Sequence, residues 1–441
     1  MESIDTLIFA GWIIPVVPRQ RLLTDAAVAV RAGRIVAVCS RDEAQRRFRA
    51  TETVHLPDHA LIPGLINAHT HAAMALMRGI ADDLPLMEWL SEHIWPREMR
   101  WVDEDFVAAG TRLAVAEMLR GGTTCFSDMY FFPDVTARVV RETGMRAAVG
   151  LIFVDFPTPW ARSPEEYVAK NRDLYRTCPP DDHIAWLLAP HAPYSVSDEL
   201  FREVGTMADE YDLKVHVHLH ETGIEIEESL ARFGERPLAR MGRLGLLNQG
   251  LIGAHMIHLE DSEIERVAAA GCGAVHCPES NLKLASGFCP AARLDEAGIA
   301  LALGTDGAAS NNDLDMFGEM RTAALLAKGV AENPEALPAP RALEMATIEG
   351  ARVLGMEDRI GSLEPGKWAD MTAVDLSQPE TRPLFDPVSQ IVYSACRQQV
   401  TDVWVGGERL LAKRRLTKLD WSALRAEVAD WQTRLIQPLE T

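Results

Sequence analysis

Cysteine is sparse and unpatterned in this chain of 441 residues: seven are present, an odd number, with no Cys-x-x-Cys. That argues against a disulfide framework and fits reduced thiols in a cytoplasm, where the protein is expected. No run approaches the ~18 apolar residues that a membrane-spanning helix needs. The first thirty residues, with Glu2, Asp5 and two prolines, lack the basic start and apolar core of a signal peptide. Cations are outnumbered, 44 Lys and Arg against 64 Asp and Glu, for a formal charge of −20. A surface built for phosphate backbones needs clustered Lys and Arg, so neither nucleic acid nor a membrane is an expected partner. Low-complexity tracts and short-period repeats are missing too, which removes solenoids.

What is present is an ordinary globular composition, 47% hydrophobic and 24% charged, in a chain long enough for one large α/β domain and a smaller companion. Apolar strands alternate with amphipathic helical stretches, the pattern of a parallel sheet with helical crossovers. Eight strands are predicted, around 61–68, 123–129, 146–153, 184–190, 214–220, 251–256, 273–277 and 299–305. Eight in succession predict a closed (β/α)8 barrel of the TIM type. The alternative, an open doubly wound sheet, would carry a Gly-rich dinucleotide turn after its first strand, and none occurs. Both chain ends are β-like instead, with a hairpin over Ala27–Val38 turning at Gly33. The expected architecture is therefore an α/β barrel over residues 61–356, with a small β-sandwich domain built from residues 1–60 plus 357–441. The stretch Ala72–Met99 is long for a loop after a strand and is expected to serve binding or to act as a lid.

The predicted strand ends share a chemistry. The first ends at His69 and His71, the fourth at His191, the fifth at His216, His218, His220 and Glu221, the sixth at His255 and the eighth at Asp306. In a strand, residues i and i+2 point the same way, so His69 and His71 reach one point. Barrel enzymes gather reactive groups where strands end, and three or four N and O ligands with one open position are what a catalytic metal ion requires. The same period of two puts His216, His218 and His220 on one face, so spacing leaves the fifth-strand ligand open. Asp306 is a candidate ligand and proton acceptor, Glu221 a candidate proton shuttle, and His255 a group that polarises the attacked centre or orients the attacking water. Cys272 and Cys277 are expected as buried thiols.

The motifs Pro63-Gly-Leu-Ile-Asn-Ala-His-Thr-His71, Ala189-Pro-His-Ala-Pro-Tyr194, His218-Leu-His-Glu221, Gly253-Ala-His255, His276-Cys-Pro-Glu-Ser-Asn-Leu-Lys-Leu284 and Leu303-Gly-Thr-Asp-Gly-Ala-Ala-Ser-Asn-Asn312 run nearly the whole chain. With them the sequence resembles the amidohydrolase superfamily, and within it the branch of 5-methylthioadenosine/S-adenosylhomocysteine deaminases, grouped with triazine-type hydrolases. The resemblance implies one divalent ion, zinc foremost and iron(II) or manganese(II) as alternatives, held by His69, His71, His218 and Asp306. It implies that Glu221 protonates the purine at N1, that His255 stands beside the attacking oxygen, and that Asp306 accepts its proton as ammonia leaves.

Further positions follow from the same likeness. Glu98 matches a carboxylate that accepts from both ribose hydroxyls, His191 a residue that contacts the purine or sugar, and Trp89 a packing partner for the 5′ substituent. The branch often carries an arginine after the third strand, where this chain has Gly150-Leu-Ile-Phe153, and a second one to which Arg162 corresponds loosely. The missing arginine shifts the expected substrate from S-adenosylhomocysteine towards 5′-methylthioadenosine or adenosine. The implied activity is hydrolytic deamination of such an adenine nucleoside to its inosine analogue, by a homodimer or homotetramer. The alternatives are a triazine or ammeline chlorohydrolase or a guanine-type deaminase, and, from another class, a non-catalytic barrel scaffold. No lysine ends a strand as a two-metal site would need, and the HxE and PCxxC motifs of the other zinc deaminase design are missing.

Overall fold

The computed structural model describes residues 1–437. Eight parallel strands follow one another in chain order: Leu65–Thr70, Thr123–Asp128, Arg146–Phe153, Ile184–Pro190, Val215–Leu219, Leu251–His255, Gly273–His276 and Ala300–Leu303. The first and eighth meet across the seam, where the Asp306 N–H donates to the His69 carbonyl at 3.0 Å and Asn67 exchanges two hydrogen bonds with Thr305. Gly304 permits that approach, because a Cβ there would lie 2.8 Å from the His69 Cβ. The predicted barrel is thus present.

Period-two alternation sorts each strand between two cores. Ile66, Ala148, Leu187, Ile252, Val275 and Ala302 face the barrel interior, closed from below by Val353, Leu354, Met356 and Ile360. Their neighbours Leu65, Ala147, Val149, Leu188, Leu251, Ala274 and Leu301 face the helical layer. Aliphatic residues fill the lower interior, and the upper interior is left to the strand-end histidines.

The second sheet is mixed and uses both chain ends. Its order is 415–416, 408–412, 400–405, 371–375, 48–63, 2–13, 23–31, 34–40, antiparallel throughout except where Glu2–Ile13 runs parallel to Phe48–Pro63. The predicted hairpin turns at Ala32 (φ 49°) and Gly33 (φ 75°), the two left-handed residues a tight turn of this hand needs. One boundary moves. The apolar run predicted as one strand over 61–68 is two: Leu61–Pro63 pairs with Met371–Ala373 in the mixed sheet, and the barrel strand begins at Leu65. Gly64 makes the passage, since a Cβ there would collide with the Thr124 side chain at 2.0 Å. The helix Trp421–Leu435 returns to the barrel, where Trp431 meets Phe106 edge-on at 5.3 Å. Among the described residues, no helix is long and apolar enough to cross a membrane.

Sheet and barrel are joined by a buried ion pair. Arg146, opening the third barrel strand, donates to both Asp370 oxygens (2.8 and 3.2 Å), and their side chains are 1% and 2% exposed. Asp370 also accepts from the Gly406 N–H at 2.6 Å and, through its carbonyl, from Gly64 at 2.9 Å. Removing one partner strands the other charge in a low-dielectric joint, so Arg146→Ala is expected to destabilise by about 3–5 kcal/mol, read from denaturant unfolding.

Candidate active site

The chain gathers its polar strand ends at one mouth of the barrel. Ligand atoms of His69, His71, His218 and Asp306 all lie within 4.8 Å of one another. Hydrogen bonding fixes how the rings present themselves. His71 Nδ1 lies 2.6 Å from the Met129 carbonyl and His218 Nδ1 2.7 Å from the His191 carbonyl. A carbonyl only accepts, so both Nδ1 atoms carry the proton and both Nε2 atoms offer lone pairs. Those Nε2 atoms face each other at 3.3 Å. His71 Nε2 is 3.0 Å and His69 Nε2 3.5 Å from Asp306 Oδ1. His69 is fully buried, and among the described residues neither of its ring nitrogens has a hydrogen-bond partner.

Converging lone pairs and an orphaned buried imidazole fit a bound cation. Two nitrogens at about 2.0–2.1 Å from a tetrahedral ion stand about 3.3 Å apart, the separation found here. Without a cation, a proton takes its place: burial opposes an imidazolium at His71, but Asp306 and the Met129 carbonyl outweigh it and push its pKa up to about 9. Burial alone dominates at His69, lowered to about 4.

The two other fifth-strand histidines are spoken for. His216 sits one layer deeper, its Nδ1 3.3 Å from Ser127 Oγ and its ring 4.9 Å from His69. His220 lies beyond the strand end in a left-handed conformation (φ 57°) that turns its ring away, between the His258 carbonyl at 3.0 Å and the Leu238 N–H at 3.0 Å. His255 (φ 71°) and Asp306 (φ 62°) share that uncommon backbone, which re-aims a side chain where a strand ends.

These groups line a cavity of about 770 Å³, counting its mouth. Its polar wall holds His71, His191, His218, Glu221, His255 and Asp306. The opposite wall comes from the long insertion, through Trp89, Leu90, Ile94, Trp95 and Glu98, and from Tyr130, Phe131 and Phe156. The insertion runs helically over 86–101 with a π turn at Trp89–Ile94, so that Trp89 and Glu98 both reach the cavity. Glu98 is buried opposite the polar cluster, accepts from Tyr130 Oη at 2.7 Å, and has its carboxyl pKa raised by burial. Burial likewise raises Glu221, whose Oε1 is 4.0 Å from His255 Nε2. His191 is lowered to about 3 by burial and bonds Ser195 Oγ through Nδ1 at 2.8 Å.

Arg162 is not brought to the cavity. Its side chain is exposed, because Ser163 caps the helix Pro164–Thr177 and leaves residue 162 outside its first turn. Four contributors escaped the sequence reading. Asn281 Oδ1 accepts from His255 Nδ1 at 2.8 Å, which leaves His255 Nε2 a lone pair; Tyr130 holds Glu98; and Ser280 and Ser310 each donate to Asp306 Oδ2 at 2.7 Å. The two serines reserve Asp306 Oδ1 for the histidine side. Despite burial, the His69 and His71 contacts hold the Asp306 carboxyl well below the usual range. The only available signal was position, since three of the four lie in motifs already quoted.

Comparison with known proteins finds relatives along nearly the whole chain. The model of the amidohydrolase family matches residues 60–410. A 5-methylthioadenosine/S-adenosylhomocysteine deaminase of Teredinibacter turnerae is 48% identical over 98% of each chain. An adenosine deaminase from Xanthomonas campestris, solved with bound zinc, superposes with a TM-score of 0.97 at 53% identity over 98% of this chain and 99% of that one. An atrazine chlorohydrolase from Arthrobacter aurescens, complexed with zinc, gives 0.90 at 25% identity, covering 97% and 100%.

A hydrogen bond to a buried carboxylate is worth more than one between neutral groups. Ser280→Ala is therefore expected to lower the stability of the metal-free protein by about 1.5–3 kcal/mol in denaturant unfolding.

Proposed function

The chain belongs to the amidohydrolase family, and from that premise we propose that it is a zinc-dependent hydrolytic deaminase of adenine nucleosides, with 5′-methylthioadenosine as its preferred substrate. The observation that carries this reading is Glu98: a buried carboxyl on the insertion that lines the same cavity as the polar cluster. Two acceptor oxygens suit the two donors of a cis-diol, so a ribose held there directs its purine towards His218, His255 and Asp306. A free base or a triazine has no diol for Glu98 to hold.

His69, His71, His218 and Asp306 would hold the ion, which when bound supplies Lewis acidity that brings the pKa of water towards ~7. Glu221, whose carboxyl pKa burial raises, donates to N1 of the purine and so draws electrons from C6. His255, anchored by Asn281, presents Nε2 to the incoming oxygen, and Asp306 takes that oxygen's proton for delivery to the leaving amine. The net reaction consumes water and yields the inosine analogue and ammonia. His191 borders the base and sugar, and Trp89 packs against the substituent at C5′.

The 5′ preference rests on charge. A neighbouring cavity shares Trp95, Glu98, Phe131 and Phe156 with the first and adds Met99, Pro157, Thr158 and Pro159, so Glu98 is the single ionisable side chain among its lining residues. A thioether fits such walls, whereas the carboxylate of a homocysteine adduct meets no cation there.

Two measurements test the reading. The protein is expected to purify with about one divalent ion per chain and to lose turnover on chelation, and His218→Ala to hold less than about a tenth of that ion by elemental analysis. Protein that never holds an ion and gains nothing from added zinc would favour the scaffold alternative. In assays of the fall in adenine absorbance, kcat/KM is expected to rank methylthioadenosine above adenosine and both above S-adenosylhomocysteine. Glu98→Gln should cost about 10–100-fold with each nucleoside, the equivalent of about 1.5–3 kcal/mol. Unaltered turnover by that variant would return the site to the free-base and triazine class.

A further inference from the structure

Glu225 has no role in the chemistry above, yet it is a carboxylate only 3% exposed, close behind the cavity. It stands at the third position of the helix Gly223–Phe233, which is capped by Thr222 through a 3.2 Å bond from the Glu225 N–H. In an ordinary capping box an acid at this position turns back to the N–H of the capping residue itself. Glu225 reaches past Thr222 instead. Its Oε1 accepts from the His220 N–H at 2.9 Å and its Oε2 from the Glu221 N–H at 2.7 Å.

Those two residues form the bend by which the chain leaves the fifth strand. His220 takes a left-handed backbone, and its ring is fastened on the outer side to His258 and Leu238. Glu221 then enters the cavity, where among the described residues no protein group hydrogen-bonds its carboxyl and His255 Nε2 is 4.0 Å away. A side chain with no tether of its own is aimed by its backbone. From this geometry we infer that Glu225 is the positioning residue for Glu221: its carboxylate, closed on two consecutive N–H groups, sets the direction in which the proton-donating carboxyl meets the substrate. The inference rests on the deaminase reading.

The role differs from helix capping, and the two separate experimentally. In Glu225→Gln one oxygen still accepts, but the amide NH2 opposes the second N–H. Its kcat for methylthioadenosine is expected to fall about 10–100-fold with KM within about twofold and the bound metal unchanged, because only alignment is lost. Glu225→Asp retains the charge but is one methylene too short to span both N–H groups; it should show the same split, and it serves if the glutamine variant fails to fold. Thr222→Ala removes the cap and keeps the grip, so Tm should drop by about 2 °C with kcat unchanged. A crystal structure of Glu225→Gln should show the Glu221 carboxyl displaced while the four metal-side residues stay in place. Wild-type kcat in a folded Glu225 variant, or kcat and KM moving together in the Glu225 and Thr222 variants alike, would overturn the inference. A wild-type protein that deaminates no nucleoside would instead overturn the reading beneath it.

Discussion

Everything at the barrel mouth answers to one constraint: lone pairs from three imidazoles and a carboxylate point at a common centre inside a buried site. Left alone they repel, and the raised pKa of His71 shows the relief a single proton gives. A divalent cation relieves more of it and must displace that proton to do so, which couples metal uptake to pH. The fold supplies the rigidity this needs. His71 and His218 are locked through Nδ1 by backbone carbonyls, and Asp306 through Oδ2 by two serines, so each ligand arrives already oriented.

Much of this could be read from the chain. The barrel was legible because eight apolar strands alternate with amphipathic helical stretches, the order in which the closed sheet is built. His69 and His71 were legible as a pair because two residues of one strand must point together. The fifth strand was harder: three histidines share a period, and what separates them is tertiary. His216 is sunk beside Ser127, and His220 is turned out by a left-handed backbone that no spacing reveals. The supporting groups were invisible for the same reason. Asn281 lies 26 residues from His255 and Ser280 26 from Asp306, distances at which only the closed barrel brings partners together. The apolar run ending at His71 misled at its start, since strand chemistry is continuous through Ile62 and only the passage at Gly64 divides two sheets.

The left-handed residues carry a common meaning. His220, His255 and Asp306 close the fifth, sixth and eighth strands, and each pays backbone strain for a side-chain direction that regular strand geometry denies. Such strain persists only where surroundings over-determine it. At Asp306 the seam bond to His69 does this, at His255 the bond to Asn281, and at His220 the double grip of Glu225 on the following bend.

Three carboxyls face the same cavity, and their environments divide the labour among them. Asp306 is held ionised by the imidazoles beside it, which suits a metal ligand. Glu221 has no such partners, so burial raises its pKa, the direction that suits a proton donor. Glu98 lies between, raised by burial yet donated to by Tyr130, so a diol offering two further donors would tip it towards the charged form on binding. The same functional group thus meets the cavity with three different proton affinities. The difference comes from what surrounds each carboxyl, which is how one cavity suits both polar anchoring and proton transfer under the proposed reading.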